Sequence, residues 1–414
     1  MAMPRNAQAD ARGRGRTTGI SSKNKTYSTK KGRKEAMKKG RIKVMLGNEA
    51  CVEAALLAGC RFYGGYPITP ATEILEIMSR RLPLVDGLCL QMEDEIAAMV
   101  AVVGASWGGT KAMTATSGPG FCLMQEAIGL AVAVEAPCVI VNVQRGGPAS
   151  GQSTSTAQGD FYQARYGSNG DYSLVVLCPS TAQEMFDHTI KAFNISERFR
   201  IPVIILSDEV VGHIREKVFI PDADQLTFVE RKKPTVPMED FVIFKPEENG
   251  VPLMPTFNTG YKSPVISQAK SQSGNRGNAK EAAENIHRLV SKIEDHMDEF
   301  AEVQVYGDEK AETAFVTFGS VCRAARSAVD MGRDKGLALR SVEVKTVWPF
   351  PDDLVRRALA GAKRIVVAEM NLGMLQREIE RVIRQPEIKI ELFSKIGGIY
   401  PQPQEFLRFL EEKR

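Results

Sequence analysis

The sequence lacks the usual equipment for holding a redox metal, crossing a membrane or building a disulfide framework. Its seven cysteines, at 51, 60, 89, 122, 138, 178 and 322, are never closer than nine residues, and no Cys-x-x-Cys occurs. No cysteine run of the kind that holds an iron–sulfur cluster is present. Most of the thiols lie in apolar runs, a reduced, cytosolic pattern. The four histidines, at 188, 213, 287 and 296, have no metal-ligand spacing. A Walker loop and a G-x-G-x-x-G turn are both missing, which removes the two commonest nucleotide fingerprints. No apolar stretch reaches the roughly 18 residues of a membrane span, and the N-terminus has no apolar secretory core.

What remains is an ordinary globular composition over 414 residues, 43% hydrophobic and 25% charged. That length predicts two or three domains. The net charge of +4 is unevenly spread: residues 1–43 hold 14 Lys or Arg against 2 acids, which leaves a net of −8 for 44–414. The first 43 residues, rich in Arg, Lys, Gly, Ser and Thr, are expected to form a disordered basic tail. Without interleaved aromatics it reads as a solvated leader, and no nucleic-acid partner is expected.

From residue 44 short apolar strands alternate with helices. This predicts an α/β fold with a parallel sheet covered on both faces, over 44–215. Residues 216–309 read as a linker or insert, with a charged helix from Lys280 to Glu302. Residues 310–414 read as a second, smaller doubly wound α/β domain.

Several strand ends could carry chemistry. Gly64 to Pro70 forms a stiff loop in which Thr69 sits between Pro67 and Pro70, at a strand-to-helix junction where ligands collect in such folds. On local sequence alone, the ordinary strand-to-helix turn is the preferred reading. Glu93-Asp94-Glu95 opens an Ala-rich helix; these are either plain first-turn acids or include a buried carboxylate aimed at a heterocycle nitrogen. Arg145 follows the apolar strand Cys138 to Val143 and is placed to take a carboxylate or phosphate with its planar fork. The hydroxyl-rich stretch from Ser150 to Thr156 is either flexible surface or a polar pocket wall. Ser117-Gly118-Pro119-Gly120 could present backbone donors to an anion. His213 is a packed turn residue or a site residue.

Taken together and in order, GGYPITP (64–70), MEDEIAA (92–98), AMTATSGPG (112–120), RGGPASGQSTSTAQGD (145–160), DEVVGH (208–213) and TVWPFP (346–351) resemble the α subunits of the 2-oxoacid:ferredoxin oxidoreductases, most closely the 2-oxoglutarate type. The resemblance covers about 44–215 and 310–414. It implies a thiamine-diphosphate-type pyrimidine-binding domain followed by a transketolase C-terminal-like domain. It also implies a thiamine diphosphate site shared with a β subunit that carries the diphosphate site, its Mg²⁺ and a [4Fe–4S] cluster, with no cofactor held by this chain alone. Coenzyme A, a 2-oxoacid and ferredoxin are the further partners. By the same resemblance Glu95 hydrogen-bonds the aminopyrimidine ring, Pro67 and Ile68 line the cofactor, and Tyr66, Thr69, Arg145 and Thr154 face the substrate. Branched-chain 2-oxoacid and pyruvate enzymes share the Pro loop and stay open as alternatives, as does a non-catalytic anion-binding or structural chain.

Overall fold

A computed structural model describes residues 39–263 and 277–412. The expected basic tail therefore lies outside the described residues up to position 38, as does most of the Ser/Gly/Asn-rich part of the insert. The strands are β1 (Gly40–Leu46), β2 (Cys60–Gly65), β3 (Leu88–Gln91), β4 (Lys111–Thr116), β5 (Cys138–Gln144), β6 (Val175–Leu177), β7 (Pro202–Asp208), β8 (Arg215–Pro221), β9 (Val303–Gly307), β10 (Thr313–Thr317), β11 (Leu339–Val344), β12 (Thr346–Trp348), β13 (Arg364–Glu369) and β14 (Lys389–Ser394). They form a seven-stranded sheet in the order β12-β6-β7-β5-β4-β2-β3, a five-stranded sheet in the order β14-β13-β10-β11-β9, and a β1-β8 ribbon.

Strand β5, Cys-Val-Ile-Val-Asn-Val-Gln, is buried along its whole length, as expected for a central strand of a parallel sheet. Its alternate residues serve two cores. Val139, Val141 and Val143 pack with Phe186 and Phe193 of the helix Ala182–Phe199. Cys138 and Ile140 pack with Met99 and Val102 of the helix Glu95–Trp107 and with the second domain. A slip of one residue would exchange the two faces, so the register is strongly specified. On the second face the apolar pattern gives way to buried polar residues at the C-terminal ends of the strands: Thr114 and Thr116 on β4, Asn142 and Gln144 on β5, Asp208 on β7.

This polar end meets the second domain. Gln158 is fully buried and fully used: its Nε2 donates to Phe318 O (2.8 Å), its Oε1 accepts from Met370 N (3.0 Å), and its carbonyl accepts from Asn371 Nδ2 (2.8 Å). Ser320 N donates to Asp208 Oδ2 at 3.0 Å. Strand β12 then leaves the second domain to pair antiparallel with β6, and Trp348 Nε1 donates to Phe161 O at 2.9 Å. The strand is too short to announce itself in the sequence.

The insert is fastened to the first domain by buried charge. The helix Ala279–Glu294 points Lys292 and Arg288 at Glu135, at 2.7 and 2.6 Å. Burial alone would raise the Glu135 pKa, but the two cations, with Arg200 beside them, hold it down at about 2. Arg231 pairs with Glu197 at 2.6 Å, both buried. Two boundaries differ from the sequence expectation. Strand β1 already begins at Gly40, within the expected tail, because its antiparallel partner β8 lies about 175 residues away in the chain. Strand β9 belongs to the sheet of the second domain, on the insert side of position 310. Among the described residues no helix is long and apolar enough to cross a membrane.

Candidate active site

The loops after β2, β3, β4 and β5 converge at the C-terminal edge of the parallel sheet, the usual ligand position in an open α/β fold. The helix Glu95–Trp107 is capped by Asp94, which accepts from Ala97 N at 2.8 Å. The helix thus starts two residues later than the acidic run, and this settles which acid turns inward. Glu93 is exposed, Asp94 is the cap, and Glu95 is buried with 4% of its surface accessible. Burial raises the Glu95 pKa; Asp94 adds to this and Arg145 opposes it.

Beneath that carboxylate lies Gly120, in the short helix Pro119–Leu123. A Cβ at Gly120 would come within 2.1 Å of Glu95 Oε1 and 2.3 Å of Thr116 Oγ1. Only glycine leaves the carboxylate its place. Around it several buried polar atoms have no hydrogen-bond partner: Thr116 Oγ1, Ser117 Oγ, Asn142 Oδ1 and Arg145 Nε. Buried polar atoms are nearly always satisfied, so a group of orphans beside a buried carboxyl suits a polar ligand.

Arg145 is held on two sides. Its Nη1 donates to Thr69 O (2.7 Å) and its Nη2 to Ser150 O (3.0 Å). A Cβ at Gly118, where φ is +45°, would lie 3.4 Å from Arg145 Nε. The guanidinium therefore links the Pro loop, the Ser-Gly-Pro-Gly turn and the hydroxyl-rich loop. The last is closed at its base by Gly146 N donating to Ser155 O and Gln152 N donating to Gly146 O, both at 2.8 Å.

The sequence-predicted residues fall as follows. Glu95, Arg145 and the backbone of Thr69 come together. Ile68 is half-buried against the first-domain core. Tyr66, Pro67 and Thr154 are exposed on the two loops, as is the Thr69 side chain. Sequence reasoning did not single out Thr116, Asn142 or Asp160. Asn142 Nδ2 donates to Asp160 Oδ2 at 2.9 Å, and Asp160 N donates to Gln144 Oε1 at 3.1 Å; burial raises the Asp160 pKa, against the Asn142 bond and Arg145. The available signal was polar residues ending two otherwise apolar strands, a pattern that points to a lined cleft.

A buried carboxyl with a raised pKa, set against orphan hydroxyls, is suited to a heterocycle that offers both a ring nitrogen and an amino group. Residues 53–292 match the family described as pyruvate flavodoxin/ferredoxin oxidoreductase, thiamine diphosphate-binding. Residues 311–406 match pyruvate:ferredoxin oxidoreductase core domain II. A 2-oxoglutarate synthase subunit KorA from Methanocaldococcus jannaschii is 47% identical over 89% of this chain and 99% of its own. A ketoisovalerate oxidoreductase subunit VorB from Methanothermobacter thermautotrophicus is 32% identical over 88% and 96%. Among solved structures, a 2-oxoglutarate:ferredoxin oxidoreductase from Magnetococcus marinus, with 2-oxoglutarate, coenzyme A and succinyl-CoA bound, superposes with a TM-score of 0.83 at 29% identity. That match covers 90% of this chain, which spans 65% of the solved one. The chain belongs to the 2-oxoacid:ferredoxin oxidoreductases, as an α subunit.

Proposed function

We propose that this α subunit works in a 2-oxoglutarate:ferredoxin oxidoreductase. The complex converts 2-oxoglutarate and coenzyme A to succinyl-CoA and CO₂ and passes two electrons to ferredoxin. The observation that carries this reading is the buried Glu95 carboxyl over Gly120 with its orphan hydroxyls. Thiamine diphosphate, when bound, supplies the electron sink for cleavage beside the carbonyl carbon. Glu95 holds and moves a proton at the aminopyrimidine ring; burial raises its pKa, the direction that suits a group which must hold as well as release a proton. Thr116 and Ser117 offer hydroxyls beside it. Pro67 and Ile68 form the apolar wall of the cofactor cleft.

Arg145 supplies positive charge for the substrate carboxylate. Its two bonds to backbone carbonyls fix the plane of the guanidinium and leave Nε unengaged. Tyr66, Thr69 and Thr154 complete the substrate side. The higher identity to the 2-oxoglutarate relative than to the ketoisovalerate one supports the substrate assignment.

The other half of the cofactor site belongs to a β subunit bearing the diphosphate site, Mg²⁺ and a [4Fe–4S] cluster. Among the described residues no group of His, Cys, Asp and Glu could hold a metal. The helix that begins with Glu95 turns Ile96 and Val100 to solvent, and the neighbouring edge strand β3 exposes Leu88 and Leu90. These exposed apolar residues, which flank Glu95 in the sequence, suit the β subunit. The seven free thiols suit a cytoplasmic setting.

Glu95→Gln tests the reading. In the assembled complex it lowers viologen-dye reduction by about 100-fold or more, the usual contribution of a positioned acid–base group. Wild-type turnover from the variant complex overturns it.

A further inference from the structure

The DEVVGH motif has no part in the site as described, yet it reaches the Pro loop through three side chains. His213 ends the short helix Glu209–His213. Its imidazole lies between two carboxylates: Nδ1 is 3.3 Å from Glu209 Oε1, and Nε2 is 3.3 Å from Glu73. Glu73 stands in the first turn of the helix Thr72–Arg81 that the Pro loop leads into. Its Oε2 also accepts from Asn48 Nδ2 at 2.9 Å. Asn48 is fully buried in the first turn of the helix Gly47–Leu57, and the same Nδ2 donates to Pro70 O at 2.9 Å.

The helix carrying His213 packs closely against the start of the helix Gly47–Leu57. A Cβ at Gly47 would meet Val211 O at 2.0 Å, and one at Gly212 would meet Asn48 Oδ1 at 3.0 Å. The two consecutive carbonyls of the loop, Thr69 O and Pro70 O, are thus gripped by different groups. Arg145 takes the first and Asn48 the second.

We propose that His213 is a positioning residue for substrate binding: its imidazolium fixes Glu73, Glu73 orients Asn48, and Asn48 sets the Pro70 carbonyl and with it the pose of Thr69. This rests on the assignment of the Pro loop to the substrate side. Protonated, His213 donates from both ring nitrogens; neutral, it has one donor for two carboxylates and loses one of them. The charged groups acting on it are Glu209 from its own helix and Glu73 from the helix Thr72–Arg81. Both raise its proton affinity, against burial. The positioning is therefore complete at lower pH and is lost as pH rises through the elevated His213 pKa. Glu95 is not part of this chain of contacts, so the effect falls on KM and not on kcat.

The test uses the assembled complex carrying His213→Gln or His213→Arg. Because His213 and Glu73 are each about one-third exposed, the expected rise in KM for the 2-oxoacid with His213→Gln is modest, about 3- to 10-fold below the ordinary imidazole pKa of 6.5. Its kcat stays within about twofold of wild type. Wild-type KM climbs toward the variant's value as pH is raised, whereas His213→Arg, with a fixed charge, keeps a low and pH-independent KM. Hydrogen exchange of the segment 64–73, measured without substrate, is faster in His213→Gln and is restored in His213→Arg. An unchanged KM with unchanged exchange overturns the proposal. So does a fall in kcat at constant KM. If the wild-type complex turns over no 2-oxoacid, the functional reading fails, while the exchange measurement still decides whether His213 holds the loop.

Discussion

Gly120→Ala is the smallest change that reaches the centre of the site. The added methyl would sit 2.1 Å from Glu95 Oε1 and 2.3 Å from Thr116 Oγ1, where ordinary contact begins near 3.4 Å. One or both groups must retreat by roughly 1 Å, and a misplacement of that size costs about 100-fold in rate, close to 2.7 kcal/mol. The fold should survive. Ala is favoured over Gly within a helix by about 1 kcal/mol, while overpacking costs about 1–3 kcal/mol, so the net loss of stability is about 2 kcal/mol at most. Glu95 is the movable end of a side chain, which keeps the damage local. The assay pairs viologen reduction by the assembled complex with a thermal melt of the same sample. The expected result is a large loss of kcat beside a small shift in Tm. A variant with kcat within threefold of wild type would refute the claim that this glycine exists to seat the Glu95 carboxyl.

Two further predictions follow from the charged groups. Glu135→Gln strips the charged partner from the buried Lys292 and the half-buried Arg288, and should lower unfolding free energy by about 3–5 kcal/mol in a denaturant titration. The wild-type advantage has a definite pH window. The folded Glu135 pKa is lowered from 4.5 to about 2, so its contribution, roughly 3 kcal/mol, is complete above pH 4.5. It is lost as pH falls toward 2, where variant and wild type should converge; a constant difference between pH 6 and pH 2.5 would contradict this. Arg145→Ala should raise KM for the 2-oxoacid by about 10- to 100-fold, the range for a hydrogen bond to a charged group, with the complex still assembled. An unchanged KM would reject its role at the substrate carboxylate.

The alternation of apolar strands and helices was legible because the sheets are covered on both faces, so that short, nearly continuous apolar runs such as Cys138 to Val143 read as central strands. The site motifs were legible as a set of strand ends. Less legible was what depends on distant partners. The first half of strand β1 carries Arg41 and Lys43 and reads as tail until β8 is beside it. Strand β12 has three residues and lies in the sheet of the other domain. Within the acidic run the resemblance pointed to Glu95, and the cap geometry of Asp94 supplies the physical reason why that acid turns inward. The use of Gln158 as a link between the domains depends on three backbone groups of Phe318 and Met370 and on the side-chain amide of Asn371, which no local pattern reports.

The most direct test of the whole account is a substrate comparison on the complex of this chain with its partner subunits, supplied with thiamine diphosphate, Mg²⁺ and coenzyme A. Dye reduction is followed with 2-oxoglutarate, pyruvate and 2-oxoisovalerate. The highest kcat/KM is expected with 2-oxoglutarate, with succinyl-CoA as the product. A preference for either of the other two acids would contradict the substrate assignment, and no turnover with any of them from a cluster-replete complex would contradict the function.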